Sequence, residues 1–481
     1  MQLVYKPEDR PKFGQNIVFA IQQLLAIMAA TIAVPIVTNS NAGLTGDDQM
    51  SIAAALFGAG VGTLVYVLFT KMRSPVFLSS SFAFLGSMAA AFAGASTVAV
   101  GYVGLLIGAL SAGLVYVIIA IVVKFVGVRW INYLMPAVVI GPTVSIIGLS
   151  LASSAIDDLQ TGDVFDAEGN ALANPLLCVL CGLVALIVVT VCSTYGKKMV
   201  KLIPFIIGIF SGYILALIFT VIGYATGTDG LIILDFSPFT DLVAGGVTVS
   251  TFVSVPEFTF LKALGGFSQI DAAYIGSVCV AYVPVAFVVF AEHIADHKNL
   301  SSVVGRDLLE DPGLHRTLLG DGIGSIAGAF FGGCPNTTYG ESIACVAITG
   351  NASALTIVFT AILAIIVSFI SPIVALLNSI PSCVMGGECM ALYGFVAVSG
   401  FKMLQPVDLN ENKNLFTVST ILIAGIGGLS LTFGKVTITS IATALILGII
   451  VHLLLSIGDK KNKDPEEAAE ETSSGQKQNK E

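Results

Sequence analysis

The chain has 481 residues, of which 55% are hydrophobic and only 11% charged. A soluble domain would carry about a quarter charged residues, so a water-soluble enzyme or binding module is excluded. The formal charge of −9 points to no basic partner and no nucleic acid, because much of the acid lies after Ser154 and after Gly458, in what read as solvated surfaces.

"MQLVYKPEDRPKFG" is polar and runs straight into a long apolar segment, so a retained first span is expected rather than a cleaved signal. Spans of the length a bilayer requires fall near 14–37, 51–70, 76–95, 98–125, 131–153, 174–195 and 201–224 in the first half. In the second half they fall near 272–297, 317–332, 335–350, 353–378, 382–402, 414–431 and 437–457. The fold class is all-α polytopic membrane protein, with fourteen crossings.

An even count places both termini on one side, and the cations agree. Lys6, Arg10, Lys12, Lys71, Arg73, Lys124, Arg129, Lys197, Lys198, Lys201, Lys298, Arg306, Arg316, Lys402 and Lys413 all fall on the terminus side. The positive-inside rule makes that side cytoplasmic and the setting the plasma (bacterial inner) membrane. The opposite loops hold Asp47, Asp48, Asp157, Asp158, Asp163, Asp166 and Glu168, with Lys262 and Lys435 as exceptions.

Residues 225–270 form a longer connection between residues 1–224 and 271–457, each containing seven spans; 458–481 read as a disordered tail. Within the connection, "VTVSTFVSVPEFTF" is expected to pack as a strand or short helix. The third span opens "SPVFLSSSFAFLG" and the tenth "GGCPNTTYGES", polar runs at matching places in the two halves. Unwound backbone is tolerated at membrane depth only where it lines a cavity, so matched interruptions point to a transporter's binding site. Seven spans per half would invert the second half relative to the first.

The stretch "FAEHIADHKNL", 290–300, puts Glu292 and Asp296 on one face of a span and His293 and His297 on the next. Glu341 lies in the interrupted tenth span and Glu388 in the twelfth. Four such acids facing lipid would cost roughly 10 kcal/mol, so they should face the bundle interior or a wet cavity. No cation in the apolar spans offers Glu292 or Glu341 an ion pair. His297 and Lys298 are expected at the cytoplasmic interface. His293 and His297 stand at metal-ligand spacing, but the His-Glu-x-x-His order and a third ligand are missing, so no metal site and no cofactor are expected. The eight cysteines, including the Cys178–Cys181 pair, mostly sit in apolar runs as packing residues.

"AEHI" at 291–294, "RDLLEDPGLHR" at 306–316, "GGCPNTTYGESIACVAIT" at 332–349, "SSSFAF" at 79–84 and "IPSCVMGG…LYG" at 380–394 resemble the bacterial uracil permease branch of the nucleobase–ascorbate transporter (nucleobase:cation symporter) family. That resemblance covers nearly the whole chain. It implies two inverted seven-span repeats, a core and a gate domain, and short antiparallel strands followed by half-helices in spans 3 and 10. By position, Glu292 and Glu341 resemble the glutamates that hydrogen-bond the base. Phe82 and Gly340 resemble the positions whose backbone N–H groups meet its carbonyls, with Tyr339 beside them. Ala30 and Tyr393 resemble further pocket-lining positions. The resemblance also implies a homodimer.

The pattern departs at Glu341-Ser342-Ile343-Ala344, which loses the family's Asn and Gly, and at Gln22-Gln23, where the family has Gln-His. Asp296 replaces a histidine of uracil permeases, and purine-transporting relatives often carry an acid there. Uracil import by proton symport is therefore the first expectation, with Glu292 or Asp296 taking up the proton. A xanthine or uric acid symporter is the second. Na+ in place of H+ stays open. An anion transporter of the sulfate-permease type shares the fold, but its site should not be walled with carboxylates. An intramembrane metalloenzyme using Glu292, His293, Asp296 and His297 is the rival from another class.

Overall fold

The computed structural model describes residues 3–462, apart from 128–129, 131–134, 167–170, 198 and 434–435. Arg129, Glu168, Lys198, Lys435 and most of the expected tail lie outside the described residues.

The first half runs α1 (Phe13–Ala42), α2 (Ile52–Phe69), β1 (Leu78–Ser80), α3 (Leu85–Ala93), α4 (Val98–Val126), α5 (Ala137–Ser150), α6 (Ala152–Leu159), α7 (Pro175–Tyr195) and α8 (Pro204–Thr226). The second runs α9 (Ala272–Val304), α10 (Leu314–Gly332), β2 (Asn336–Thr338), α11 (Gly340–Thr349), α12 (Ala354–Ser368), α13 (Ser371–Asn378), α14 (Ser382–Met403), α15 (Asn412–Ile426), β3 (Leu431–Phe433), β4 (Val436–Ile438) and α16 (Ser440–Asn462). Eight helices among the described residues are long and apolar enough to cross a membrane, and four shorter apolar ones accompany them.

Several expected spans are broken. The segments expected as spans 3 and 10 are each a three-residue strand followed by a short helix. The span expected over 353–378 divides into α12 and α13 at Ile370, whose extended ψ of 95° precedes Pro372. Pro372 has no N–H to donate within a helix, which suits it to the first turn of α13 and stops α12 from running through it. The connection's apolar run forms one helical turn, Val249–Phe252, and a bridge from Val253 to Ile370. The β3–β4 ladder had no counterpart among the expected elements. The last helix continues past residue 457 into what read as tail. Lys262, one of the two exceptions to the expected charge pattern, is spoken for: its Nζ donates to Asp47 O and Gln49 O, both at 2.7 Å, and pairs with Glu257 at 2.8 Å.

Between lipid-embedded helices water expulsion drives little, so close packing must come from small residues. Helices α2 and α10 meet that way. A Cβ on Gly62 would stand 2.7 Å from Gly324 O, and one on Gly324 would stand 2.7 Å from Gly62 O. Asn336 fills the same seam, its Nδ2 donating to Gly58 O at 3.0 Å. On the other side of the molecule, α5 and α14 approach at Gly141 and Gly400.

Two packing sets result. One gathers α1, α2, α3, α4, α9, α10, α11 and α12; the other gathers α5, α6, α7, α8, α14, α15 and α16. Each draws helices from both halves of the chain.

Candidate functional site

The site is built where β1 and β2 cross. They pair antiparallel with Leu78 opposite Thr338, Ser79 opposite Thr337 and Ser80 opposite Asn336. Two three-residue strands cannot hold themselves, and neighbouring helices finish their hydrogen bonding. Thr63 of α2 accepts from Leu78 N at 2.9 Å and donates to Leu78 O at 3.0 Å. Thr31 of α1 bonds Ser79 Oγ at 2.7 Å. Ser81 N donates to Pro335 O at 2.9 Å, and Tyr339 N to Phe77 O at 3.3 Å. The Tyr339 hydroxyl donates to Ser80 O.

Each strand leads into a helix start. After β1 a 3-10 turn at Phe82–Phe84 opens α3; after β2, α11 begins at Gly340. Neither Ser81 nor Tyr339 caps its helix start with a side chain, so the N–H groups of Phe82 and Gly340, which have no intrahelical acceptor, can meet a ligand with the favourable end of the helix dipole behind them. Between them lies a cavity of about 50 Å³. Its walls are Ser81, Phe82, Ala83, Glu292, Thr337, Thr338, Tyr339, Gly340 and Glu341 from the first packing set, with Ile147 and Val396 from the second.

Five of the expected site residues therefore share one hollow: Phe82, Glu292, Tyr339, Gly340 and Glu341. Three stand outside its walls. Ala30 is buried in α1. Tyr393 is buried behind Phe82, their rings edge-to-face at 5.8 Å. Asp296 sits one residue behind the wall, its Oδ2 accepting from Thr338 Oγ1 at 2.7 Å. Glu388 is elsewhere, fully buried, with neither carboxyl oxygen partnered among the described residues.

The histidines are structural neighbours of the site. His293 Nδ1 meets Asp321 Oδ2 at 2.6 Å and its Nε2 meets Thr317 Oγ1 at 2.9 Å. His297 Nδ1 donates to His293 O at 2.8 Å and its Nε2 meets the Tyr66 hydroxyl at 2.7 Å. With all four ring nitrogens engaged inside the protein, neither ring presents a free ligand to a metal. His297 is 1% exposed, which corrects its expected place at the cytoplasmic interface: a helix extending to Val304 carries it inside the packed set.

Asp321 and the Gln23–Ser342 contact were missed. Gln23 Nε2 donates to Ser342 Oγ and, at 3.2 Å, to Ser342 O; Ser342 Oγ also accepts from Phe77 N at 2.9 Å. Signals existed for both. Asp321 is an acid in an apolar segment, and positions 23 and 342 are both among the places where the chain leaves the family pattern.

A hollow between two packing sets, walled by broken helices and carboxylates, fits the binding site of a membrane transporter. The overall fold agrees with solved transporters. The transmembrane domain of a cyanobacterial bicarbonate transporter, BicA, superposes with a TM-score of 0.58 at 15% identity, covering 93% of this chain and 99% of that one. The murine anion transporter Slc26a9 in its inward-facing state gives 0.58 at 13% identity, covering 94% and 70%. Residues 14–434 match the family Xan_ur_permease, described as a permease family, and the chain belongs to it. Among curated relatives, a uracil permease of Bacillus caldolyticus is 37% identical over 93% of this chain and 94% of its own length. A uracil permease of Escherichia coli K12 is 31% identical over 93% of each.

Proposed function

We propose that the chain imports uracil across the membrane by proton symport. The observation that carries this is the single hollow holding Glu292, Glu341 and two uncapped helix starts. Uracil presents alternating N–H donors and C=O acceptors in one plane. Glu292 and Glu341 accept its ring N–H bonds, and the backbone N–H groups of Phe82 and Gly340 donate to its carbonyls. Tyr339 flanks the ring, while Ala30 and Tyr393 support the wall from behind. The curated relatives named as uracil permeases support the same substrate.

The proton is taken by Glu292 or Asp296, which lie one helical turn apart. The two packing sets serve as core and gate, so rocking one against the other opens the hollow to each side in turn. Fourteen spans in two inverted repeats, 1–224 and 271–457, fit the paired broken helices and the reciprocal α2–α10 seam. Both termini face the cytoplasm, the bilayer surrounds the apolar surface, and a homodimer fits the family resemblance.

A larger xanthine or uric acid ring is the second reading, favoured by the acid at Asp296. Against it, Asp296 is bonded to the wall residue Thr338 from behind and does not itself line the cavity. Isothermal titration of the purified protein with uracil, xanthine and uric acid separates these readings. With uracil as ligand, Glu292→Gln and Glu341→Gln should each lose about 2 kcal/mol or more of binding, as expected when a charged acceptor is removed. Unchanged affinity in both variants would remove the site.

A further inference from the structure

Two buried polar groups without partners face the same small hollow beside the substrate cavity. Asp321 on α10 is 1% exposed; its Oδ2 is bonded to His293, while Oδ1 has no partner among the described residues. Tyr116 on α4, 4% exposed, likewise has an unpartnered hydroxyl. Both line a cavity of about 10 Å³ whose other polar walls are Ser325, Asn336 and Thr337 and whose apolar walls include Phe84 and Ala112. A void of this size holds about one water, provided that two to four polar groups bind it. Thr337 is also a wall of the substrate cavity.

We propose that this side cavity holds one water which, with Asp321 and His293, forms a second proton-holding site, joined to the substrate cavity through Thr337. The site rests on the proton-symport reading and deepens it.

The proton inventory follows from the bonds. A carboxylate facing an imidazolium and a carboxylic acid facing a neutral ring hold the same number of protons and no net charge, so the pair titrates as one unit. The imidazolium form satisfies every contact of the ring: Nδ1 donates to Asp321, Nε2 donates to Thr317 Oγ1, and the Thr317 hydroxyl donates to Leu314 O at 3.1 Å. Losing one proton leaves a single negative charge, and no Lys or Arg forms an ion pair with it among the described residues.

The groups facing the pair are Glu292, Asp296 and His297 on α9, Tyr116 on α4 and Tyr66 on α2. None brings a permanent positive charge. Negative charge at Glu292 or Asp296 therefore repels negative charge at Asp321, so ionisation at one place holds the proton at the other. Transfer makes and breaks only N–H and O–H bonds. The ring gives one proton to the Asp321 carboxyl, and from this acid form, with the proton on Oδ1, it passes to the water, which gives up one of its own to the next oxygen; nothing is oxidised or reduced.

The experiment uses the full chain in liposomes, measuring uracil uptake against imposed pH gradients, uracil–uracil exchange, and uracil affinity. For Asp321→Asn, affinity should stay within about threefold and exchange should persist, while gradient-driven accumulation falls about tenfold or more. Tyr116→Phe, which removes only a hydroxyl, should shift the pH profile of uptake in the same direction by less. An Asp321→Asn protein that keeps the parent's accumulation and pH profile overturns the proposal. So does one that loses exchange and affinity along with accumulation, since Asp321 would then be structural. If Asp321→Asn fails to fold, an unshifted pH profile in Tyr116→Phe overturns it. Uptake by the unaltered protein that ignores the pH gradient overturns this site and the symport reading together, whereas a responsive parent with indifferent variants overturns only the site.

Discussion

Ser342 shows how a side chain next to the substrate can matter without touching it. Its hydroxyl oxygen accepts from Gln23 on α1 and from Phe77 N ahead of β1, and all of this is buried. Glu341 precedes it on the first turn of α11, so the bond fixes where that carboxylate stands. Ser342→Ala leaves the Phe77 N–H and one Gln23 bond unmade, which costs about 1–3 kcal/mol for a buried donor. A lower melting temperature and a uracil KM several-fold higher are expected. Because Gln23→Ala removes the same bond, the double variant should fall short of the summed effects by about 0.5–3 kcal/mol. Strict additivity would mean that the two residues act independently. Glu292 and Glu341 were legible in the sequence because a charge in an apolar run is conspicuous. Gln23 and Ser342 were each marked as departures from the family pattern, but nothing local joins positions 319 apart as a bonded pair. His297 misled for the opposite reason: proximity to Lys298 suggested an interface, but the helix continues for another turn and more.

At the scale of elements, the start of α14 depends on an acid from another loop. Pro381 offers no side-chain cap, and Asp163 supplies one across space, accepting from Ser382 N at 2.7 Å and from Ser382 Oγ at 2.5 Å. Helix α14 carries Tyr393 and Val396 toward the site, so this cap helps set the second packing set's face of the hollow. Burial pushes the Asp163 carboxyl from its ordinary 3.8 up to about 6, against the lowering effect of the Ser382 bonds. Between about pH 4 and 6 the folded protein thus keeps a proton that the unfolded chain has shed. Stability from this group is full below that window and is lost as pH rises through it. Asp163→Asn keeps an acceptor for Ser382 N without a charge to bury. Its melting temperature should exceed the parent's at pH 7 and converge with it toward pH 4; parallel melting curves at all pH values would refute the assignment. The broken third and tenth spans were legible because Ser, Thr, Gly and Pro interrupt apolar runs there. The α12–α13 break was less so, since only Pro372 marks it in a continuous apolar stretch. The β3–β4 ladder was hidden because its residues fall at and between the ends of the spans expected at 414–431 and 437–457.

For the whole molecule, the question is whether the two packing sets move against each other. Sequence shows two halves; the fold shows sets that each mix both halves, because the α2–α10 and α5–α14 seams join helices from opposite ends of the chain. Pattern within a segment reveals which face is small or apolar, but not which distant segment shares it. One contact between the sets offers a test with a native thiol. Leu202, just before α8, packs with Ala26 of α1 and Cys345 of α11 in a small cluster of its own. Neither Leu202 nor Cys345 lines the substrate cavity. Oxidising Leu202→Cys should tie it to Cys345 and fasten α11, which carries Glu341, to the opposite set. If transport requires rocking, the oxidised protein should take up uracil about tenfold more slowly than the same sample after reduction, while still binding uracil with similar affinity. Binding is preserved because the hollow lies away from the tether; uptake is lost because the hollow can no longer exchange sides. Equal uptake before and after reduction, with the cross-link verified by mass, would show that the substrate crosses without relative movement at this contact.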